Sequence, residues 1–278
     1  MDAPLILSQI IVYPIKSLAG VQMRQWWVEE RGFRYDRRWL IIDDANRFVT
    51  QRECPQMALI DVALRDEGIV LHHRTRSLPT LRVPYTPETS ELLTVQIWND
   101  EVEAVVVGAV YNQWLTEALG FSARLVFMPD SSPRPVDEQY AIQPTNVSFA
   151  DGYPYLLIGQ ASLDDLNTRL PSPVEMRRFR PNLVVEGGLP YEEDHWYEFR
   201  IGQFDCYGVK PCARCILTTV NPDTGSKDGA EPVKTLATYR KANNKIFFGQ
   251  NVLTYQTGLL RVGDEVSVLS RKQRVIAE

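Results

Sequence analysis

Lys210-Pro-Cys-Ala-Arg-Cys-Ile-Leu-Thr-Thr-Val-Asn-Pro-Asp-Thr-Gly225 gathers two cysteines, two cations and a β-branched run into one short stretch. Ile216 to Val220 reads as a strand buried in a sheet, because β-branched residues fit a pleated surface. Asn221-Pro-Asp-Thr-Gly225 then breaks the run with turn chemistry. Cys212 and Cys215 therefore stand at the mouth of an expected strand, flanked by Lys210 and Arg214. A positive field there favours thiolate, the form that ligates a metal or attacks an electrophile.

The cysteine spacing leaves three readings open. A C-x-x-C pair can be half of a structural zinc site, completed by Cys206, Cys54 or a histidine, which would make the chain a zinc-stabilised binding module. Zinc sites, however, usually pair two such knuckles or add H-x₃₋₅-H, and the histidines here are His72, His73 and His195. A thioredoxin-like pair would open a helix, whereas Cys215 is expected to open a strand. Cys206-x₅-Cys212-x₂-Cys215 misses the plant-type iron-sulfur spacing by one, and no cysteine follows. A zinc ligand, an inert buried thiol and a functional single thiolate all survive.

Composition bounds the rest. A chain of 278 residues with 44% hydrophobic content suffices for two domains or one large one. Its net charge of −5 argues against nucleic acid or a membrane surface as partner. Any anion site must then be a local basic cluster. Four cysteines are too sparse for a disulfide scaffold and suit a reducing compartment. The N-terminal apolar run from Leu5 to Tyr13 lacks a basic n-region and is too short to span a membrane, so it reads as the first strand of a cytoplasmic protein.

Along the chain, Pro14 stops that first strand and leaves Lys16-Ser17 in a loop before Gly20, where an ammonium, a hydroxyl and free N–H groups can meet a phosphate. Arg37-Arg38 precede a strand at Trp39–Ile42; Arg37 can bind phosphate through its planar fork or pair with Asp36 or Asp43, while Arg38 is expected in solvent. Short apolar segments between Met57 and Val107, with a hairpin at Asn99-Asp100, argue for a barrel or curled sheet. His72 and His73 are expected at the surface. A helix over Val110–Leu119 should bury Val110, Trp114 and Ala118 and stop at Gly120. Pro129-Asp-Ser-Ser-Pro-Arg-Pro135 reads as a linker, dividing the chain into residues 1–128 and 129–278. Ser162 should cap a helix ending at Leu170. Arg177, Arg178 and Arg180 crowd ahead of a strand at Asn182–Val185, either as a basic cluster or paired with Glu192, Glu193 and Asp194. Leu260 to Leu269 should close the barrel through a turn at Gly263-Asp264.

The opening stretch resembles the signature of the MOSC family, in the branch of the mitochondrial amidoxime reducing component and its bacterial counterparts. Tyr13-Pro-Ile-Lys-Ser17, Asp36-Arg-Arg-Trp39, Phe149-Ala-Asp-Gly-Tyr-Pro154, Phe179-Arg-Pro-Asn182 and Phe248-Gly-Gln-Asn251 follow in family order, so the similarity covers nearly the whole chain. It implies a mainly β fold with a few helices: an N-terminal β-barrel-like domain and a C-terminal MOSC-type β-barrel, with a cofactor in the cleft between them. It also implies Cys215 as ligand to the molybdenum of a pyranopterin cofactor. Lys16, Ser17, Arg37, Arg180 and Asn182 would contact that cofactor, and the reaction would be reduction of N-hydroxylated compounds. With no cluster cysteines downstream, electrons would come from a separate flavin or iron-sulfur protein. Ala213 stands where relatives often place serine, which removes one contact. An older proposal for the family makes Cys215 a persulfide carrier for metal-sulfur cluster assembly, linked to pyridoxal phosphate; Lys210 or Lys16 could be forced into the Schiff-base role, though nothing in their surroundings demands it.

Overall fold

The computed structural model describes residues 4–273. Its main sheet runs Val21–Met23, Ile6–Val12, Leu183–Glu186, Tyr155–Gly159, Lys245–Leu253, Phe204–Arg214, Trp196–Ile201, Val266–Arg271. Among the described residues of this sheet, only Tyr155–Gly159 and Leu183–Glu186 run parallel. The sheet curls back on itself: Leu7 N–H donates to Asp264 O at 2.9 Å and Val266 N–H to Leu5 O at 2.8 Å, joining the first strand to the last. The core inside this curl takes Leu7, Ile10 and Val12 from the first strand and Leu157, Phe199 and Val252 from later ones.

The N-terminal half adds a four-stranded sheet, Trp39–Ile42, Arg124–Phe127, Asp100–Val106 and Leu92–Ile97, and a three-stranded sheet over Ile60–Val83. Helix α1, Ala109–Leu119, seals one end and is stopped by left-handed Gly120 at φ 83°. It buries Tyr111, Trp114, Leu115 and Ala118, while Val110 faces solvent. One turn separates Val110 from Trp114, and the apolar stripe drifts off it toward Tyr111. Two further helices, α2 (Gln160–Arg169) and α3 (Val233–Tyr239), lie against the main sheet. The protein is thus mainly β, as expected.

Several local expectations fail for identifiable reasons. The run Ile216–Thr219 forms a 3₁₀ turn, not a buried strand. Thr218 Oγ1 donates to Cys215 O at 3.1 Å and Thr219 Oγ1 to Ile216 O at 2.7 Å, the back-bonding by which threonine competes with the sheet ladder. Cys215 therefore follows a strand, Phe204–Arg214, and does not open one. Ser162 lies inside α2, where its hydroxyl donates to Glu193 Oε2 at 2.8 Å instead of capping. His73 is buried, its Nδ1 accepting the N–H groups of Thr75 and Arg76. Arg38 is partly buried on Met128 O and Asp130, and the Pro129–Pro135 segment is packed, with Ser132 and Arg134 buried. Gly258–Arg261 and Val266–Arg271 turn at Gly263-Asp264 but enter different sheets.

Candidate functional site

The strand Phe204–Arg214 delivers Cys215 to a cleft, and its irregularities decide where. Its pairing with Lys245–Leu253 slips twice, between Gly208 and Lys210 and between Pro211 and Ala213. Pro211 has no N–H to offer the ladder, and each bulge bends the strand. The chain then leaves the sheet at Arg214. Cys215 caps the following turn in extended conformation with its thiol exposed.

From the other end of the chain comes the loop after Val12. Lys16 N–H donates to Trp39 O, and its ammonium, with the side chain 8% exposed, reaches Phe149 O at 2.7 Å and Asp151 Oδ1 at 2.6 Å. Burial lowers its pKa to about 8 against the opposing pull of Asp151. Ser17 is buried beside it. Arg37 Nη1 contacts Asp36 Oδ2 at 2.5 Å and Asn182 Oδ1 at 2.8 Å. Asn182, 1% exposed, also gives its amide N–H groups to Ile11 O and Asp36. Its side chain is spent holding Arg37 and Asp36 together.

Arg180 donates to Leu18 O at 2.7 Å, but its buried Nη2 finds no acceptor, and burial lowers its pKa to about 10. Ser17, Arg37 and Arg180 all adopt left-handed backbone, at φ 68°, 48° and 57°. Such strain, about 1–3 kcal/mol per residue, persists where the surroundings over-determine it and clusters at functional sites.

Lys16, Ser17, Arg37, Arg180, Asn182 and Cys215, from distant parts of the sequence, line one cleft. Reading the sequence missed Arg52, Tyr13 and Asp151 as contributors. Arg52 carried no motif; Tyr13 and Asp151 stood inside quoted motifs without an assigned part. The lining cations are Lys16, Arg37, Arg52, Arg180 and Arg214, against the single carboxylate of Asp151. Lys16 and Arg37 are paired to carboxylates, whereas Arg180 Nη2 and Arg214 Nε are buried without acceptors. In a chain of net charge −5, this is a focused anion site.

The two cysteines differ. Burial pushes the Cys212 thiol up against the pull of Arg214, whose Nη1 donates to its sulfur at 3.0 Å. Lys210 takes no part, since its ammonium lies 4.1 Å over the Tyr140 ring. Cys206 and Cys54 are buried, and among the described residues no three His, Cys, Asp or Glu side chains converge to hold a metal. A zinc site of four protein ligands is therefore not formed there. Of the two lysines named for pyridoxal phosphate, Lys16 is ion-paired with Asp151 and Lys210 lies over the Tyr140 ring.

A soft thiol ligand exposed at one end, with unpaired N–H donors further in, suits a ligand that joins a thiophilic metal to an anionic tail. The MOSC N-terminal beta barrel domain matches residues 5–122 and the MOSC domain residues 144–267. Mitochondrial amidoxime-reducing component 1 of Mus musculus is 36% identical, covering 95% of this chain and 82% of that protein. Its Homo sapiens counterpart is 35% identical with 95% and 83% covered. Molybdenum cofactor sulfurase of Oryza sativa subsp. japonica is 32% identical over 87% of this chain, which spans 32% of that longer protein. This chain belongs to the MOSC-domain family and is a relative of the mitochondrial amidoxime-reducing components.

Proposed function

We propose that this protein is an oxidoreductase that holds a pyranopterin molybdenum cofactor, with Cys215 as the protein ligand to the metal, and reduces N-hydroxylated compounds. The observation that carries this reading is the exposed Cys215 thiol at a cleft whose cations outnumber its carboxylates five to one. When bound, the cofactor supplies a two-electron metal centre that removes the oxygen of an N–OH group, which with two electrons and two protons leaves as water and gives the N–H compound.

The chain's own residues bind and orient. Lys16 and Arg180 bring charge to the anionic tail, Arg180 through a donor that has no protein acceptor. Arg37 does the same while Asp36 and Asn182 fix its fork. Asn182 acts on the ligand through Arg37. Ser17 lends its hydroxyl beside them, and Cys212, whose sulfur is engaged by Arg214, is not a ligand. The electrons come from a separate flavin or iron-sulfur protein. We place the protein in the cytoplasm, and place the division of the chain at 128/129.

Metal and pterin content test this directly, together with activity on an N-hydroxylated amidine driven by an artificial reductant. Cys215→Ser is expected to lose molybdenum and activity, and Cys212→Ser to keep most of both. Retention of both in Cys215→Ser overturns the proposal. Sulfane sulfur on Cys215 in a molybdenum-free chain would favour the sulfur-carrier reading instead, which the exposure of that thiol also suits.

A further inference from the structure

Cys215 and Arg52 line a second cleft as well as the first. Phe48, Val49, Trp98 and Phe121 form its apolar walls. The two clefts therefore meet at Cys215 and Arg52, with a cationic side and an aromatic side.

Trp98 is the unusual residue of the aromatic side. The strands Leu92–Ile97 and Asp100–Val106 pair with Ile97 opposite Asp100, so the hairpin loop is Trp98-Asn99. Trp98 is left-handed at φ 56°, and Asn99 is not among the left-handed residues. A two-residue hairpin loop with only its first position left-handed normally places glycine there. A bulky aromatic at that position is strained, and this one is also 41% exposed.

Three contacts nevertheless hold the indole in place. Its Nε1–H donates to Asp151 Oδ1 at 3.2 Å, its ring centre lies 5.3 Å from that of Phe48, and the Arg52 guanidinium sits 4.3 Å over it. Asp151 Oδ1 is also the atom that pairs with Lys16. The exposed aromatic wall is thereby tied to the cationic side of the same junction. A side chain that strains its turn, remains half in water and is still fixed from several directions is suited to receiving a ligand.

We infer that Trp98 is the wall of the substrate site and selects N-hydroxylated compounds whose N–OH carbon bears a planar aromatic ring, which lies against the indole and Phe48 beside Cys215. This rests on the proposed N-reductive activity, and names the substrate class of that site. Aromatic rings favour offset or edge-on contact with an aromatic wall over contact with water. Arg52, lining both clefts with its guanidinium over the indole, brings a positive charge to the junction beside Cys215.

The test uses the molybdenum-loaded protein and two probes, benzamidoxime and acetamidoxime, which differ by ring against methyl. Binding is measured by calorimetry in the absence of reductant, beside turnover, melting temperature and molybdenum content. In Trp98→Gly the affinity for benzamidoxime is expected to fall roughly tenfold, and that for acetamidoxime to stay within about twofold. Glycine suits the turn, so the melting temperature should not fall. Trp98→Phe, which keeps a ring but removes the donor to Asp151, should bind benzamidoxime within about threefold of the wild type.

Unchanged benzamidoxime affinity in Trp98→Gly overturns the inference. So does an equal loss for both probes, or loss of molybdenum, either of which makes Trp98 a support for Asp151 and Lys16. A wild type that fails to bind benzamidoxime overturns it too. A wild type that binds benzamidoxime in a Trp98-dependent way but never reduces it leaves the wall standing and sinks the reductase reading.

Discussion

Tyr13 lies between the guanidiniums of Arg37 and Arg180, each 4.3 Å from its ring centre. Its backbone N–H donates to Asp36 Oδ1 at 2.8 Å, and its carbonyl accepts from Arg37 N at 2.7 Å. The ring's negative faces attract both cations, about 0.5–2 kcal/mol each, and so two like charges can share a buried cleft. Burial raises the phenol to about 12, so it stays neutral. Gly20 is needed beside it, because a Cβ there would come within 2.5 Å of the ring. Lys16 is the cation of the site whose pKa is brought nearest neutrality. With its pKa lowered to about 8 by burial, it is a cation below that pH and neutral above. An anion binds the cationic form better, so affinity must drop as pH rises through about 8. Sulfate is a suitable probe because its charge is constant in this range. For the cofactor-free protein, sulfate affinity should fall about tenfold across this step, the worth of one charge-assisted contact. In Asp151→Asn the midpoint should move to lower pH, since Asp151 opposes the shift. A flat profile between about pH 6 and pH 10 would exclude Lys16 from the anion site.

The elements that carry Cys215 show where local reading fails. Ile216 to Val220 has strand composition, yet the hydroxyls of Thr218 and Thr219 turn back to the carbonyls of Cys215 and Ile216, and only Val220-Asn221 pairs, with Ser226-Lys227. The Asn221–Gly225 turn was legible: Gly225 N–H donates to Asn221 O at 2.9 Å with Gly225 left-handed at φ 61°. Trp196–Ile201 pairs with Phe204 onward as a hairpin across Gly202-Gln203; the run of its second strand to Arg214 through two bulges was not legible, because a bulge depends on the partner strand. Gly208 is the tight point of that strand. A Cβ there would lie 2.3 Å from the carbonyl oxygen of Trp196, and backbone cannot swing aside as a side chain can. Gly208→Ala is expected to destabilise by about 1–3 kcal/mol and, by displacing the strand that ends at Arg214, to lower molybdenum occupancy. Thermal melting and metal content of the purified variant check both parts; a wild-type melting temperature would show that the strand has slack.

At the scale of the whole molecule, the first strand is built into the second half. Ile6–Val12 lies between Val21–Met23 and Leu183–Glu186, and Leu7 and Ile10 are fully buried in the core with Phe199 and Ile201. Gln25–Glu29 likewise pairs with Gly258–Arg261. Residues 129–278 alone would expose that core and an unpaired strand edge. Such a fragment is expected to show no cooperative urea unfolding and to aggregate, whereas the full chain unfolds cooperatively; a cooperative transition in the fragment would show that the C-terminal core closes without its N-terminal strand.

Residue chemistry alone marked Lys16, Arg37 and Arg180 as cations near strand ends with solvated or ion-paired readings still open, and it was the family resemblance that singled them out from neighbours such as Arg38 and Arg178. The strand periods, Gly120 and the turn residues act through local backbone preference, so the mainly β class followed from sequence alone. Only the tertiary structure set Asn182 to hold Arg37, placed Tyr13 between two arginines and brought Arg52 and Trp98 to Cys215. These are contacts between residues far apart in the chain, and their energies depend on burial and distance, which exist only once the sheets have closed.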